Sequence, residues 1–149
     1  MSRWLLDTNV VSELRKPGCD PRVRVWSEAQ HPKSFFLSTI TIAEIRFGIE
    51  RHPDAAFRVE LSVWLDQTLR PWFGASILEV GEDVILEWRR MVERGRRIRH
   101  TYSQPDLFLA ATASFHGLTM ATRNVADFEH TGVPVFDPWT HETITPGER

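Results

Sequence analysis

Asp7, Glu44, Asp106 and Asp127 stand in the segments LLDTN, TIAEI, QPDLFLAATA and RNVADF, each where a predicted strand or loop gives way to a helix. Each has an ordinary explanation by itself. Asp7 can cap a helix that begins near Asn9. Thr41 and Glu44 are three residues apart, as in a capping box, and so are Asn124 and Asp127. Asp106, beside Pro105, suits the positive end of a helix dipole. Together the four say more, because strand-to-helix junctions collect at one edge of an open parallel α/β sheet. Like charges about 5 Å apart repel by roughly 3 kcal/mol per pair at an effective dielectric of about 20. Several such pairs rival the whole stability of a domain, about 5–15 kcal/mol. Crowding of that kind requires a compensating cation or raised carboxyl pKa values. All-oxygen ligands suit Mg²⁺ or Mn²⁺ and not zinc. An ion so held lowers the pKa of bound water, and a second can stabilise the leaving oxygen of an in-line displacement at phosphorus. The chain carries no GxSxG elbow, P-loop or GxGxxG that would point elsewhere.

The elements that must position these acids follow from apolar period and from breakers. Strands are predicted at Arg3–Leu6, Phe35–Ser38, Ser76–Val80, Leu118–Thr122 and Val133–Phe136. Helices are predicted over 9–15, 21–30, 40–51, from Pro53 to a stop at Pro71, over 82–97 and over 105–116, the last closed by Gly117. On the helix after Pro53, Phe57, Leu61, Trp64, Leu65 and Leu69 recur at three and four. On 82–97, Ile85, Trp88 and Val92 are expected to face inward. Strands alternating with helices predict an α/β fold with a mostly parallel sheet covered on both faces. Residues 1–139 read as one domain and 140–149 as a loosely ordered C-terminal tail.

A chain of 149 residues can bury a sizeable core, and its six Trp and nine Phe argue against disorder. A formal net charge of −2 means that any nucleic-acid binding must rest on a local basic patch. Cys19 is the only cysteine, which excludes an internal disulfide and a cysteine-rich zinc site. No apolar run approaches the roughly 20 residues of a membrane span. MSRWLLDTN turns polar too soon for a signal peptide, so a cytoplasmic location is expected.

Four segments carry a resemblance: LLDTNVVSEL at Leu5–Leu14, LSTITIAEIRFGI at Leu37–Ile49, PDLFLAATASFHGLTMATRNVADF at Pro105–Phe128 and VPVFDPW at Val133–Trp139. In this order they resemble the PIN-domain ribonucleases, most closely the VapC-type toxins of bacterial toxin–antitoxin pairs. The resemblance implies a three-layer α/β/α sandwich around a mostly parallel sheet of four to five strands. It implies cleavage of RNA that depends on Mg²⁺ or Mn²⁺, a homodimer, and a small antitoxin lying across the site. Asp7, Glu44 and Asp106 match the family's metal-binding acids by position. Asp127 is the candidate for the fourth, and Asn124 is its rival, since some relatives have TRD where this chain has Thr122-Arg123-Asn124. Thr8, Asn9 and Thr122 are candidates to orient carboxylates or waters from behind, or to serve as caps.

Arg89, Arg90, Arg94, Arg96, Arg97 and Arg99 crowd the stretch that leads toward Asp106, with Glu93 among them. Guanidinium groups grip phosphate in a bidentate fork, so this stretch can steer RNA; a solvated helix face with internal ion pairs is the plainer reading. Arg46 and Arg123 lie close in sequence to the acids and are further phosphate candidates. Two other functions fit parts of the pattern. An aspartate-nucleophile phosphatase or receiver domain also places Asp after its first strand. It calls for a Lys after a late strand, and Lys16 and Lys33 are the only lysines. A non-catalytic RNA- or partner-binding scaffold with a degenerate site is the second.

Overall fold

The computed structural model describes residues 2–146. Its strands are β1 (Trp4–Leu6), β2 (Phe35–Ser38), β3 (Ile77–Leu78), β4 (Thr119–Ala121), β5 (Val135–Phe136) and β6 (Thr143–Ile144). The helices are α1 (Thr8–Arg15), α2 (Pro21–Ala29), α3 (Thr39–Arg51), α4 (Ala55–Trp64), α5 (Arg70–Phe73), α6 (Glu82–Arg97) and α7 (Gln104–His116).

The six strands form one sheet in the order β3-β2-β1-β4-β5-β6, with only β6 antiparallel to its neighbour. β1 is central, pairing through Trp4 with Phe35 on one side and with Thr119 on the other. Alternation along the strands separates two cores. Trp4, Leu6, Phe35, Leu37 and Ala121 join Val10, Trp26, Ile42 and Leu69 on the face covered by α1 to α5. Leu5 and Met120 join Val84, Met91, Leu107 and Ala111 on the face covered by α6 and α7. The period of two thus builds the three-layer sandwich directly.

β2 and β3 lie to one side of β1, and β4 and β5 to the other, so the strand order reverses between β1 and β4. A crevice opens beyond the carboxyl ends of strands at such a point. Asp7 follows β1 and Thr122 follows β4 there, and the Asp7 N–H reaches the Ala121 carbonyl at 3.0 Å.

Some expectations are corrected. The helix predicted to start at Pro53 begins at Ala55, capped by Asp54, whose carboxylate accepts from the N–H groups of Ala56 and Phe57. Pro71 does not stop the helical stretch. A π-turn at Leu65–Leu69 carries it into α5, whose first turn accepts the proline. The stop is Gly74, at φ 49°. On α6 the buried residues are Val84, Met91 and Gly95, whereas Ile85 is 46% exposed. Residues 140–146 are not a loose tail. The Asp137 carboxylate accepts from the Trp139 and Thr140 N–H groups and turns the chain back, so that Phe136 pairs with Thr143. The rest of that tail, residues 147–149, lies outside the described residues. No described helix is long and apolar enough to cross a membrane.

Candidate functional site

Asp7 is the anchor of the site because it serves two structures at once. It caps α1 with Oδ1, which accepts from the Thr8 N–H at 2.7 Å. Its Oδ2 accepts from the Thr122 hydroxyl at 2.7 Å and from Asn9 Nδ2 at 3.4 Å. Thr122 Oγ1 in turn accepts from Asn9 Nδ2 at 3.3 Å and from the Asn124 N–H at 3.0 Å. Asn9 Oδ1 accepts from the Arg123 N–H at 3.2 Å. The network ties the end of β1 to the loop after β4, which carries Asn124 and Asp127. Thr8, Asn9 and Thr122 therefore all hydrogen-bond Asp7, Thr8 through its backbone.

Glu44 lies on α3, whose N-cap is Ser38, with Ser38 Oγ accepting from the Ile40 N–H at 3.0 Å. The capping box expected between Thr41 and Glu44 does not form, so Glu44 is not occupied in closing the helix. Asp106 lies in the first turn of α7. Ser103, the N-cap residue of that helix, hydrogen-bonds its carboxylate. Ser103 is a site residue that the sequence reading missed, although Ser three residues before an acid is a recognisable helix-start signal.

The carboxylates sense one another. Burial pushes the Asp7 carboxyl above its ordinary pKa; the bonds from Thr122 and Thr8 pull it back, and the charge of Asp127 pushes it further up. Burial raises Glu44, and the charges of Asp7 and Asp106 add to the rise. Burial raises Asp106, with Asp7 and Asp127 adding and Ser103 opposing. Asp127 thus acts electrostatically on both aspartates, whereas Asn124 enters the network through its backbone N–H. Among the described residues, no three Asp, Glu, His or Cys side chains are gathered tightly enough to enclose an ion directly.

The arginines divide. On α6, Arg89 pairs with Glu93 at 3.1 Å, Arg94 with Glu87 at 3.1 Å and Arg96 with Glu93 at 3.5 Å. Glu87, nearly two turns before Glu93, supplies the second acid that the sequence reading left out. Among the described residues no carboxylate pairs with Arg97 or Arg99. Arg46 is two residues from Glu44, hence about 200° around the helix. It lines a groove between α3 and α4 with Glu50 and Asp66 and is not brought to the acids. The Arg123 guanidinium lies over Trp139, 5.0 Å from the ring centroid.

The chain is similar to known proteins in both sequence and fold. The chain is 33% identical over 135 residues to a VapC ribonuclease of Sinorhizobium fredii, covering 91% of this chain and 96% of that one. It is 34% identical over 135 residues to the toxin FitB of Neisseria gonorrhoeae, covering 91% and 97%. The crystal structure of FitAcB from Neisseria gonorrhoeae superposes with a TM-score of 0.85 at 34% identity, covering 91% of this chain and 98% of that one. The PIN domain model matches residues 4–133, a span that holds Asp7, Glu44, Asp106 and Asp127, and the chain belongs to the PIN-domain family.

Proposed function

We propose that this protein is a Mg²⁺- or Mn²⁺-dependent endoribonuclease that acts as the toxin of a toxin–antitoxin pair. The observation that carries the reading is that Asp7, Glu44 and Asp106 are raised first by burial and then by the charges of neighbouring acids, Asp127 among them, beside the sheet's switch point. Carboxyls raised by burial and by neighbouring acids in one crevice are characteristic of functional sites. The all-oxygen donor set fits a hard cation such as Mg²⁺. Related proteins named VapC ribonuclease and toxin FitB, and the FitAcB structure, support the activity and a small antitoxin partner. A homodimer is part of the same proposal.

The chain's own residues prepare the site in a definite way. Both lone-pair directions of Asp7 Oδ2 are taken by Thr122 and Asn9, whereas Oδ1 has one bond and one direction left. Asp7, Asp106 and Glu44 would hold the cation, with Asp127 as the fourth acid. Thr122 and Asn9 fix the carboxylate in orientation, and the Thr122 bond opposes the rise of its pKa. A bound divalent ion supplies neutralisation of this charge and a water of lowered pKa for attack at phosphorus. Arg97 and Arg99 are placed to meet RNA phosphates, since neither is committed to a carboxylate.

Titration with Mg²⁺ or Mn²⁺ during incubation with a mixed RNA pool tests the reading. Cleavage that requires the metal and is lost in Asp7→Asn is the expected result. Stable binding of RNA without cleavage at any metal concentration would establish the non-catalytic scaffold instead.

A further inference from the structure

Beside the carboxylates, α3 and the start of α7 enclose an apolar groove of about 470 Å³, within the roughly 300–1,000 Å³ range of small-ligand sites. Glu44 stands in its wall, so the groove is continuous with the acidic cluster. Pro105, the residue before Asp106, lines it as well. Two aromatic rings serve it, and each is backed by a planar group. Phe108 lies parallel to Trp88, with centroids 4.9 Å apart and an interplanar angle of 9°. Phe47 is 58% exposed, and the Arg51 guanidinium lies 5.5 Å from its centroid. Exposed phenylalanine beside a charged site is costly in water and useful to a flat ligand.

Gln104 adds a polar group of fixed sense. The Trp88 indole N–H donates to Gln104 Oε1 at 2.9 Å, and an indole can only donate. That bond assigns the amide and leaves the Gln104 NH₂ as a donor at the groove.

We infer that this groove is a nucleobase subsite, holding the base of the nucleotide next to the scissile phosphate. The inference rests on the ribonuclease reading and deepens it. A phosphodiester placed at Asp7 and Asp106 brings one flanking sugar beside Glu44, and its base enters the groove. Single-stranded RNA is recognised by stacking unpaired bases on aromatic rings and by hydrogen bonds to their edges. The free NH₂ of Gln104 favours a base that offers a carbonyl oxygen, O4 of uracil or O6 of guanine, over the amino group of cytosine or adenine.

The test uses the full chain with Asp7→Asn as the background for binding and the native chain for cleavage. An RNA oligonucleotide and its counterpart with one abasic position beside the cleavage point are the probes. The intact RNA is expected to bind roughly 5- to 100-fold more tightly, the equivalent of one stacked base. Phe47→Ala is expected to erase that difference while leaving abasic RNA unaffected. In cleavage, sequenced RNA ends are expected to favour U or G at one flanking position. Gln104→Glu, which replaces the NH₂ donor by an acceptor, is expected to move the preference toward A or C. Normal cleavage with unchanged base preference in both variants overturns the subsite and leaves the ribonuclease reading standing. Absence of any cleavage by the native chain overturns both. If sedimentation shows that Phe47→Ala turns a dimer into a monomer, and affinities for intact and abasic RNA fall together, the groove is a self-association face and the subsite is refuted.

Discussion

The Thr122 hydroxyl donates a 2.7 Å hydrogen bond to Oδ2 of Asp7, joining residues 115 positions apart in the chain. The bond is buried, its acceptor is an anion, and it crosses from β4 to β1 at the place where the strand order reverses. Hydrogen bonds to charged groups contribute about 1.5–3 kcal/mol. Thr122→Val keeps the shape and removes the donor. It is expected to cost about that much in urea unfolding at neutral pH and to raise the Asp7 carboxyl further. In an Asp7→Asn background the loss should shrink, since the anionic acceptor is gone. Equal losses in both backgrounds would show that Thr122 acts through packing alone.

The raised carboxyls of Asp7, Glu44 and Asp106 fix the sign of a pH effect. In the folded chain these groups bind protons more readily than in the unfolded chain. Their contribution to stability is fully present below the ordinary carboxyl range, about pH 4. It is lost as pH rises through the folded pKa values. In metal-free buffer, native stability relative to Asp7→Asn is therefore expected to decline as pH climbs above about 4 and then level off. Denaturant midpoints of the two proteins, measured side by side from pH 4 to 8, give this difference. A difference that grows in favour of the native chain as pH rises would contradict the assigned repulsion.

Mg²⁺ should reverse the penalty. A ligand that binds only the folded state adds about 2.7 kcal/mol at a hundredfold excess over its Kd, worth roughly 2–4 °C in Tm per kcal/mol for a chain of this size. Thermal melting of the native chain is expected to rise with millimolar Mg²⁺ or Mn²⁺, and Asp7→Asn and Asp106→Asn to lose that rise. Asp127→Asn is expected to weaken it, because Asp127 is the acid that acts on both aspartates. Asn124→Ala should leave it nearly intact, since Asn124 meets Thr122 through its backbone. A larger effect from Asn124→Ala would hand it the fourth position.

The site was legible where local chemistry and topology point the same way. Asp7 ends an apolar run, and a parallel sheet with Asp7 at its centre can only bring the later acids toward it. Gly117 was legible too, because at φ 67° it closes α7 in a conformation that costs other residues roughly 1–2 kcal/mol. Long-range facts were not legible. The apolar stripe after Pro53 was legible, since Leu65 and Leu69 are buried and Leu61 and Trp64 pack against them, but the exposure of Val59 and Val63 in a surface groove was not. β6 is two residues long and owes its pairing to the Asp137 turn, which no periodicity reveals. On α6, Trp88 and Val92 pack against the core as predicted, but Val84 and not Ile85 begins that face. The close approach of Tyr102, whose ring a Cβ at Gly95 would meet at 2.9 Å, was not legible.

The division among the arginines yields a last expectation. Arg89, Arg94 and Arg96 already hold carboxylates, so RNA must compete with Glu87 and Glu93 for them. Exposed pairs of this kind are worth about 0–1 kcal/mol, too little to block a phosphate but enough to discount its gain. Arg97 and Arg99 carry no such discount. Each phosphate that a single strand places on a cation adds about 0.7 to the steepness of log K against log salt. Arg97→Gln and Arg99→Gln are expected to weaken RNA binding uniformly across sequences and each to flatten that slope by roughly this amount. Arg89→Gln should flatten it less, because Arg89 is already paired with Glu93. Binding to the Asp7→Asn protein at several salt concentrations measures all three. Slopes unchanged in Arg97→Gln and Arg99→Gln would place the RNA track off this end of α6.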